Sequence, residues 1–256
     1  MHLALLIFWP AATEKTMAAR QVTKLGLTRC SLKHQVRQFH VTKGTAGPLK
    51  VGIVGMGHVG NAVCNNLLKK GHTVTAITDI KKENCQGYPN SIAIKRSARE
   101  VAEVSDIVVS GLPKPPDVLK AATGPEGIIE GLKANGIWID HSTTDYGQNI
   151  MFEEELAKKG AHVLESPITG GLEALKKGQM AVWVAGDVEA YKKAKPVLDA
   201  SYTTVLYTGK LGTAMIPKVL SNMLCAVQVL AMSECFAIGA HKHLTFLTQK
   251  CKFIFF

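Results

Sequence analysis

The stretch Gly55-Met56-Gly57-His58-Val59-Gly60 spaces three glycines as GxGxxG between an apolar run, 50–55, and a helical pattern, 58–70, that Gly71 closes. Bare backbone at a strand-to-helix turn permits chemistry that side chains would block. The first glycine allows the tight turn. The second lets an anionic group approach the main chain, and the third lets helix and strand pack closely. The helix start then offers unpaired N–H groups and the positive end of its dipole, which together suit a phosphate. Nineteen residues past Gly60, Asp79 ends the next apolar run, 73–79. A carboxylate there accepts hydrogen bonds from ribose hydroxyls and repels a 2′-phosphate. Strand, glycines, helix, strand and acid together predict a dinucleotide site. Met56, His58 and Val59 line its loop, and NAD is expected over NADP. Lys81 and Lys82 are the residues that could greet a phosphate instead.

Such a loop needs a sheet to hold it. Further strands are expected at 91–95, 106–113, 136–143 and 161–167, with helices at 97–104, 116–122, 124–133, 146–159 and 172–177. Ser97 and Glu100 stand in capping-box spacing at the head of one of them. Strands alternating with helices imply crossovers, and hence an α/β, Rossmann-type, doubly wound and mostly parallel sheet.

Further along, Lys218 and Asn222 are four residues apart, which places both on one face of a helix. A lysine among apolar residues is ordinarily one whose stem lies on the surface and whose head reaches water. Pro217 directly before it removes a helix N–H. In a first turn this is harmless; deeper, it would kink the helix and re-aim the lysine.

From about residue 49 to 240 the chain resembles the 3-hydroxyisobutyrate dehydrogenase-like family of β-hydroxyacid dehydrogenases, whose cofactor domain is of the 6-phosphogluconate dehydrogenase type. The blocks that carry the resemblance are the glycine loop, "GLP" (111–113), "IDHSTTD" (139–145), and "ESPITGG" (165–171) with "GKLGTAMIPKVLSNML" (209–224). The resemblance implies that Leu112 and Pro113 lie against the cofactor and Thr143 near its nicotinamide half. It implies that Thr169, Gly170 and Gly171 hold a substrate carboxylate, with Thr169 standing where the family has Ser. It makes Lys218 the general acid/base and Asn222 the group that orients substrate. Ala214 and Ser221 depart from the family's Gly-x-Gly-x-x-x-Lys-x-x-Asn-Asn pattern. The implied reaction is oxidation of the alcohol of a small 3-hydroxy acid. The His-Asn-Gly run of the 6-phosphogluconate branch is absent after Lys218.

The implied organisation is a cofactor domain at 49–208 and the start of an all-helical second domain at 209–240. Full-length relatives are expected to oligomerise through that domain. Within 219–240 the only charge is Glu234, so burial is expected. Asn222, Gln228 and Glu234 favour an interdomain core helix over a membrane span. Residues 241–256 resemble nothing in the family, so the chain reads as C-terminally truncated. An impaired NAD(P)-binding fragment or an interaction module is therefore the alternative to an active enzyme.

The net charge of +10 sits mostly at the ends. Residues 1–48 hold seven basic residues and one acid, and 241–256 hold three lysines and no acid, so only +1 remains between them. Nucleic acid is not an expected partner of so neutral a body. The six cysteines form no CxxC pair, so neither a disulfide framework nor a metal site is expected. From Met17 to Lys43 there is no acid, and Arg, Lys, Ser, Thr and Leu dominate, as in a mitochondrial transit peptide. "RQFHVT" (37–42) offers a processing point ahead of Phe39. The matrix is the expected location, with a disordered basic tail on a cytoplasmic protein as the alternative. Mass-spectrometric mapping of the mature N-terminus is expected to find it at or beyond Phe39. A mature chain that retains residues 3–9 would overturn import.

Overall fold

The computed structural model describes residues 49–241, so the leader and the terminal tail lie outside the described residues. Six strands run parallel in the order β3-β2-β1-β4-β5-β6: β1 (Lys50–Val54), β2 (Thr73–Thr78), β3 (Ala93–Ile94), β4 (Ile107–Ser110), β5 (Ile137–Asp140) and β6 (His162–Glu165). This is the doubly wound Rossmann order, whose reversal point lies between β1 and β4. The sheet then continues beyond the six. β7 (Ile168–Thr169) and β6 both pair antiparallel with β8 (Met180–Gly186), and β9 (Tyr202–Gly209) runs parallel to β8.

The helices are α1 (His58–Lys69), α2 (Ala98–Glu103), α3 (Pro115–Ala122), α4 (Ile128–Gly131), α5 (Tyr146–Ala157), α6 (Leu172–Lys176), α7 (Val188–Ser201) and α8 (Met215–His241). α1 touches α6 and α7, whereas α4 touches α2, α3 and α5. These are the two layers that a buried parallel sheet requires. Beneath the second group lies a core centred on Val108, Trp138, Phe152 and Val163. Trp138 and Phe152 meet with ring centroids 5.0 Å apart. Gly52 in β1 is packing-driven, since a Cβ there would lie 2.3 Å from Ser105 Oγ and 2.5 Å from Val101 Cγ1.

Local chemistry set most element starts as expected. Ser97 Oγ accepts from Glu100 N (3.2 Å), while Glu100 Oε2 reaches past the cap to Arg96 N (3.1 Å). Asp145 accepts from Gly147 N (2.8 Å) at the head of α5. Pro115 opens α3 at the position where its missing N–H costs nothing.

Three expectations need correction. The helix expected at 124–133 is confined to Ile128–Gly131. A Cβ at Gly127 would lie 2.4 Å from the Ala122 carbonyl, so the chain doubles back tightly there instead of coiling. The strand expected at 91–95 is only Ala93–Ile94, an edge pair. The strands expected at 106–113, 136–143 and 161–167 stop at Ser110, Asp140 and Glu165, where polar side chains begin to bond the loops above them. Residues 180–209, for which the periodicity predicts no element, form strand, helix, strand. Pro196 interrupts the helical pattern of α7, yet Asp187 starts that helix firmly, accepting from Glu189 N (2.9 Å) and Ala190 N (2.8 Å).

His141 stitches this added region to the parallel sheet. Its Nδ1 lies 2.7 Å from the Ser166 carbonyl, which can only accept, so Nδ1 carries the proton. Nε2 then accepts from the Tyr202 hydroxyl at 3.0 Å. The ring is fully buried and neutral, and burial pushes its pKa down to about 4. An unfolded chain binds this proton more readily than the folded one between about pH 6.5 and 4. Stability therefore falls as pH drops through that window, by up to roughly 3 kcal/mol, and levels off below it. Burial raises the carboxyls of Asp140 and Glu165, which act in the opposite sense. Urea midpoints measured from pH 7 to 4 are expected to fall more steeply for the wild-type chain than for His141→Gln. Parallel curves would show that His141 is not held neutral.

Candidate active site

The glycine loop leaves β1 at its carboxyl end, at the reversal point of the strand order. Gly55 has φ +89°, a left-handed conformation, and its N–H donates to the Thr78 carbonyl (2.9 Å). A Cβ on Gly60 would sit 1.9 Å from the Gly55 carbonyl oxygen, so α1 can approach β1 only because that position is bare. At Gly57 the situation is reversed. A Cβ there would meet nothing within 4 Å, and φ is an ordinary −71°. The fold itself does not demand this glycine. The space beside it, at the start of α1, is open, and a bare helix start of this kind suits a phosphate. His58 is exposed there, and Val59 packs where a Cβ on Gly111 would come within 2.8 Å of it.

Asp79 lies directly beside this loop. Its Oδ2 accepts from Met56 N (2.7 Å), and its Oδ1 accepts from Lys81 N (2.7 Å) and Asn84 Nδ2 (3.2 Å). The carboxylate thus holds the loop. Asn84 was not legible as part of this site, because it enters from a 3-10 turn, Lys82–Cys85.

The loops after β4 and β5 close over the same edge. Leu112 fills the space beside Gly55, where a Cβ would meet its Cδ2 at 2.5 Å. Leu112 N donates to Ser142 Oγ (2.9 Å), and Ser142 donates to Asp140 Oδ1 through both Oγ (2.6 Å) and N (3.1 Å). Ser110 Oγ gives Asp140 Oδ1 a third hydrogen bond (2.8 Å) and receives one from Trp138 Nε1 (2.8 Å). Pro113 and Thr143, the residues next to this network, are exposed at the edge. Asp79 and Leu112 thus contact the glycine loop, and Pro113 and Thr143 are chain neighbours of the Leu112–Ser142 bond.

The remaining candidates gather around β7 and the start of α8. Thr169 ends β7 and is half-buried. Gly170 and Gly171 follow, exposed, into α6. α8 leans on β7 and β8. Pro217 is its third residue, within the first turn, where a missing N–H breaks no helical bond, so Lys218 is not re-aimed by a kink. Lys218 is half-buried and Asn222, one turn on, is exposed. Beneath them Glu165, the last residue of β6, accepts from Gly212 N and from Met215 N (2.5 Å).

The polar residues that bind all this together, Ser110, Asp140, Ser142 and Glu165, had no role in the sequence reading. A signal for three of them exists. The core strands IVVS, IWID and HVLE each end on a polar residue after an apolar run. The expected burial of α8 is not met among the described residues. Ile216, Val219, Leu220, Met223, Leu224 and Val227 are all exposed, because no described element covers them. By length and composition this helix could also cross a membrane, a property it shares with core helices of soluble proteins.

Residues 50–209 match the family model described as the NAD binding domain of 6-phosphogluconate dehydrogenase. The chain is 28% identical over 199 residues to human mitochondrial 3-hydroxyisobutyrate dehydrogenase, covering 77% of this chain and 59% of the relative. It is 29% identical over 194 residues to the chloroplastic glyoxylate/succinic semialdehyde reductase 2 of Arabidopsis thaliana, covering 75% and 54%. The chain thus spans less than two thirds of the length of these curated relatives. Among solved structures, the Mycobacterium tuberculosis 3-hydroxyisobutyrate dehydrogenase with L-serine superposes with a TM-score of 0.71 at 25% identity, covering 78% of this chain and 68% of that one.

The glycines separate fold from ligand. Gly57→Ala is expected to leave the urea midpoint unchanged while weakening NADH binding, read by fluorescence titration, at least about tenfold. Gly60→Ala is expected to destabilise the fold by about 2 kcal/mol or more. Equal effects of the two substitutions would contradict these separate roles.

Proposed function

The chain belongs to the family of 6-phosphogluconate dehydrogenase-type NAD-binding domains, within its 3-hydroxyisobutyrate dehydrogenase-like branch, and on that premise we propose that it oxidises the alcohol of a small 3-hydroxy acid with NAD. One observation carries the reading. The helix bearing Lys218 is seated on Glu165, at the carboxyl edge of the same sheet whose edge presents the Gly57 cradle. This shared edge supports a lysine and a cofactor loop that act together.

The bound nicotinamide supplies the hydride acceptor. The chain's own residues supply the rest. The Thr169 hydroxyl and the N–H groups of Gly170 and Gly171 hold the substrate carboxylate. Asn222 orients the substrate, one helical turn from Lys218. As hydride leaves carbon, the Lys218 amine takes the hydroxyl proton. In the reverse direction its ammonium returns that proton to the carbonyl oxygen. Leu112 and Pro113 lie against the cofactor, and Thr143 near its nicotinamide half. Asp79 beside the glycine loop favours NAD, since a carboxylate there opposes a 2′-phosphate. The exposed Lys81 and Lys82 keep NADP as the lesser option.

On this reading 49–208 form the cofactor domain, and 209–240 begin a helical domain through which longer relatives associate. The basic leader and the mitochondrial relatives support the matrix as the place of action. A second reading, an NAD(P)-binding fragment or interaction module without turnover, is favoured by the apolar side chains of α8 that no described element covers.

Purified protein mixed with NAD and a panel of short 3-hydroxy acids is expected to form reduced cofactor, followed by absorbance. Lys218→Ala is expected to lower kcat by about a thousandfold while NAD affinity changes less than twofold. Equal losses of both would count against the assignment. NAD binding without reduction of any panel member would favour the second reading.

A further inference from the structure

We infer that Glu165 is a positioning residue for Lys218: its buried carboxylate is the cap that fixes where α8 begins and how its first turn is aimed. This rests on the proposed role of Lys218. An α-helix begins with amides that lack intrahelical acceptors, and the residue just before it ordinarily supplies one. Here that residue is Ala214, which has no acceptor side chain and is fully buried. The nearest hydroxyl, Thr213 Oγ1, is turned back to the Lys210 carbonyl (2.6 Å). The cap arrives instead from about fifty residues earlier. Both oxygens of Glu165 are used, Oε2 on Gly212 N and Oε1 on Met215 N.

The geometry allows little else. Glu165 is 1% exposed, so an unpaired carboxylate there would be costly, and the two amides are what satisfy it. Gly212 has φ +88°, and a Cβ on it would lie 2.2 Å from the Tyr146 ring. The approach to the helix is thus clamped between Tyr146 and Glu165. Lys218 follows three residues after Met215, within a turn of the clamp. Further along, α8 is largely exposed, so its aim depends on this end. Glu165 is also the register neighbour of Asp140, which holds the Ser142 and Leu112 loop. Cofactor loop and proposed catalytic helix therefore hang from adjacent carboxyl groups on adjacent strands.

Glu165→Gln, Glu165→Asp, Lys218→Ala and the double variant Glu165→Gln/Lys218→Ala form the test. A glutamine amide can accept one of the two N–H bonds but opposes the other with its own NH2. In Glu165→Gln, amide exchange at residues 212–222 is expected to quicken at least about tenfold while strands β1, β4 and β5 stay protected. The resonance of 13C-methylated Lys218, identified by its loss in Lys218→Ala, is expected to move. In turnover, Glu165→Gln lowers kcat about a hundredfold with NAD affinity within twofold, Glu165→Asp recovers part of it, and the double variant is no slower than Lys218→Ala. Unchanged exchange at 212–222, quickening spread evenly over the sheet, or an unmoved Lys218 resonance would overturn the inference, as would a double variant slower than Lys218→Ala. Full turnover by Lys218→Ala would sink the proposed function instead, and the exchange and resonance arms would still judge the cap.

Discussion

Two carboxyl groups buried side by side at the ends of parallel strands organise the working edge of this protein. Asp140 and Glu165 occupy one register row of β5 and β6, and both are almost inaccessible to water. A buried carboxylate is tolerated only when donors surround it. Here the donors come from loops far away in sequence. Asp140 Oδ1 takes N–H and hydroxyl groups from Ser142 and Ser110, while its buried Oδ2 has no partner among the described residues and burial raises the carboxyl's pKa. Glu165 takes the amides that open α8. The bonds these acids accept are the bonds that place the edge loops. That is why the strands stop where they do.

The glycine loop works by an opposite device. There the fold needs the absence of atoms. Gly60 lets α1 press onto the Gly55 carbonyl, and Gly55 takes a left-handed turn beside Leu112. Gly57 is bare without any such need, and that surplus space is what a phosphate could use. Asp79 joins the two devices. Its oxygens hold Met56 N and Lys81 N, so the acid expected to read the ribose also fixes the loop that would hold the pyrophosphate.

Beyond the parallel strands, β8, α7 and β9 widen the sheet. His141 ties them in by donating to Ser166 and accepting from Tyr202. The long helix leaves this platform with its apolar side chains uncovered by any described element. Its first turn belongs to the site and is clamped. The rest has the composition of a helix meant to be covered.

Much of this was readable in the order of residues. The GxGxxG spacing, Asp79 nineteen residues on, and the alternation of apolar runs with helical patterns determine the Rossmann order, because each rests on local sterics or short-range periodicity. Pro217 left a question that only the observed helix start answered, since its effect depends on how many turns precede it. At 180–209 the strand formers of MAVWVAG and YTTVLYTG agree with the strands observed, and only Pro196 runs against the helix between them, which packing against α1 holds. The partners of Asp140 and Glu165 were beyond reach for a different reason. A hydrogen bond between residues thirty or fifty apart leaves no trace in spacing. By itself the sequence determined the fold class and the cofactor loop, where a residue's neighbours along the chain are its neighbours in space. Tertiary structure alone decided which buried acids hold the edge together, because their donors become neighbours only once the sheet has formed.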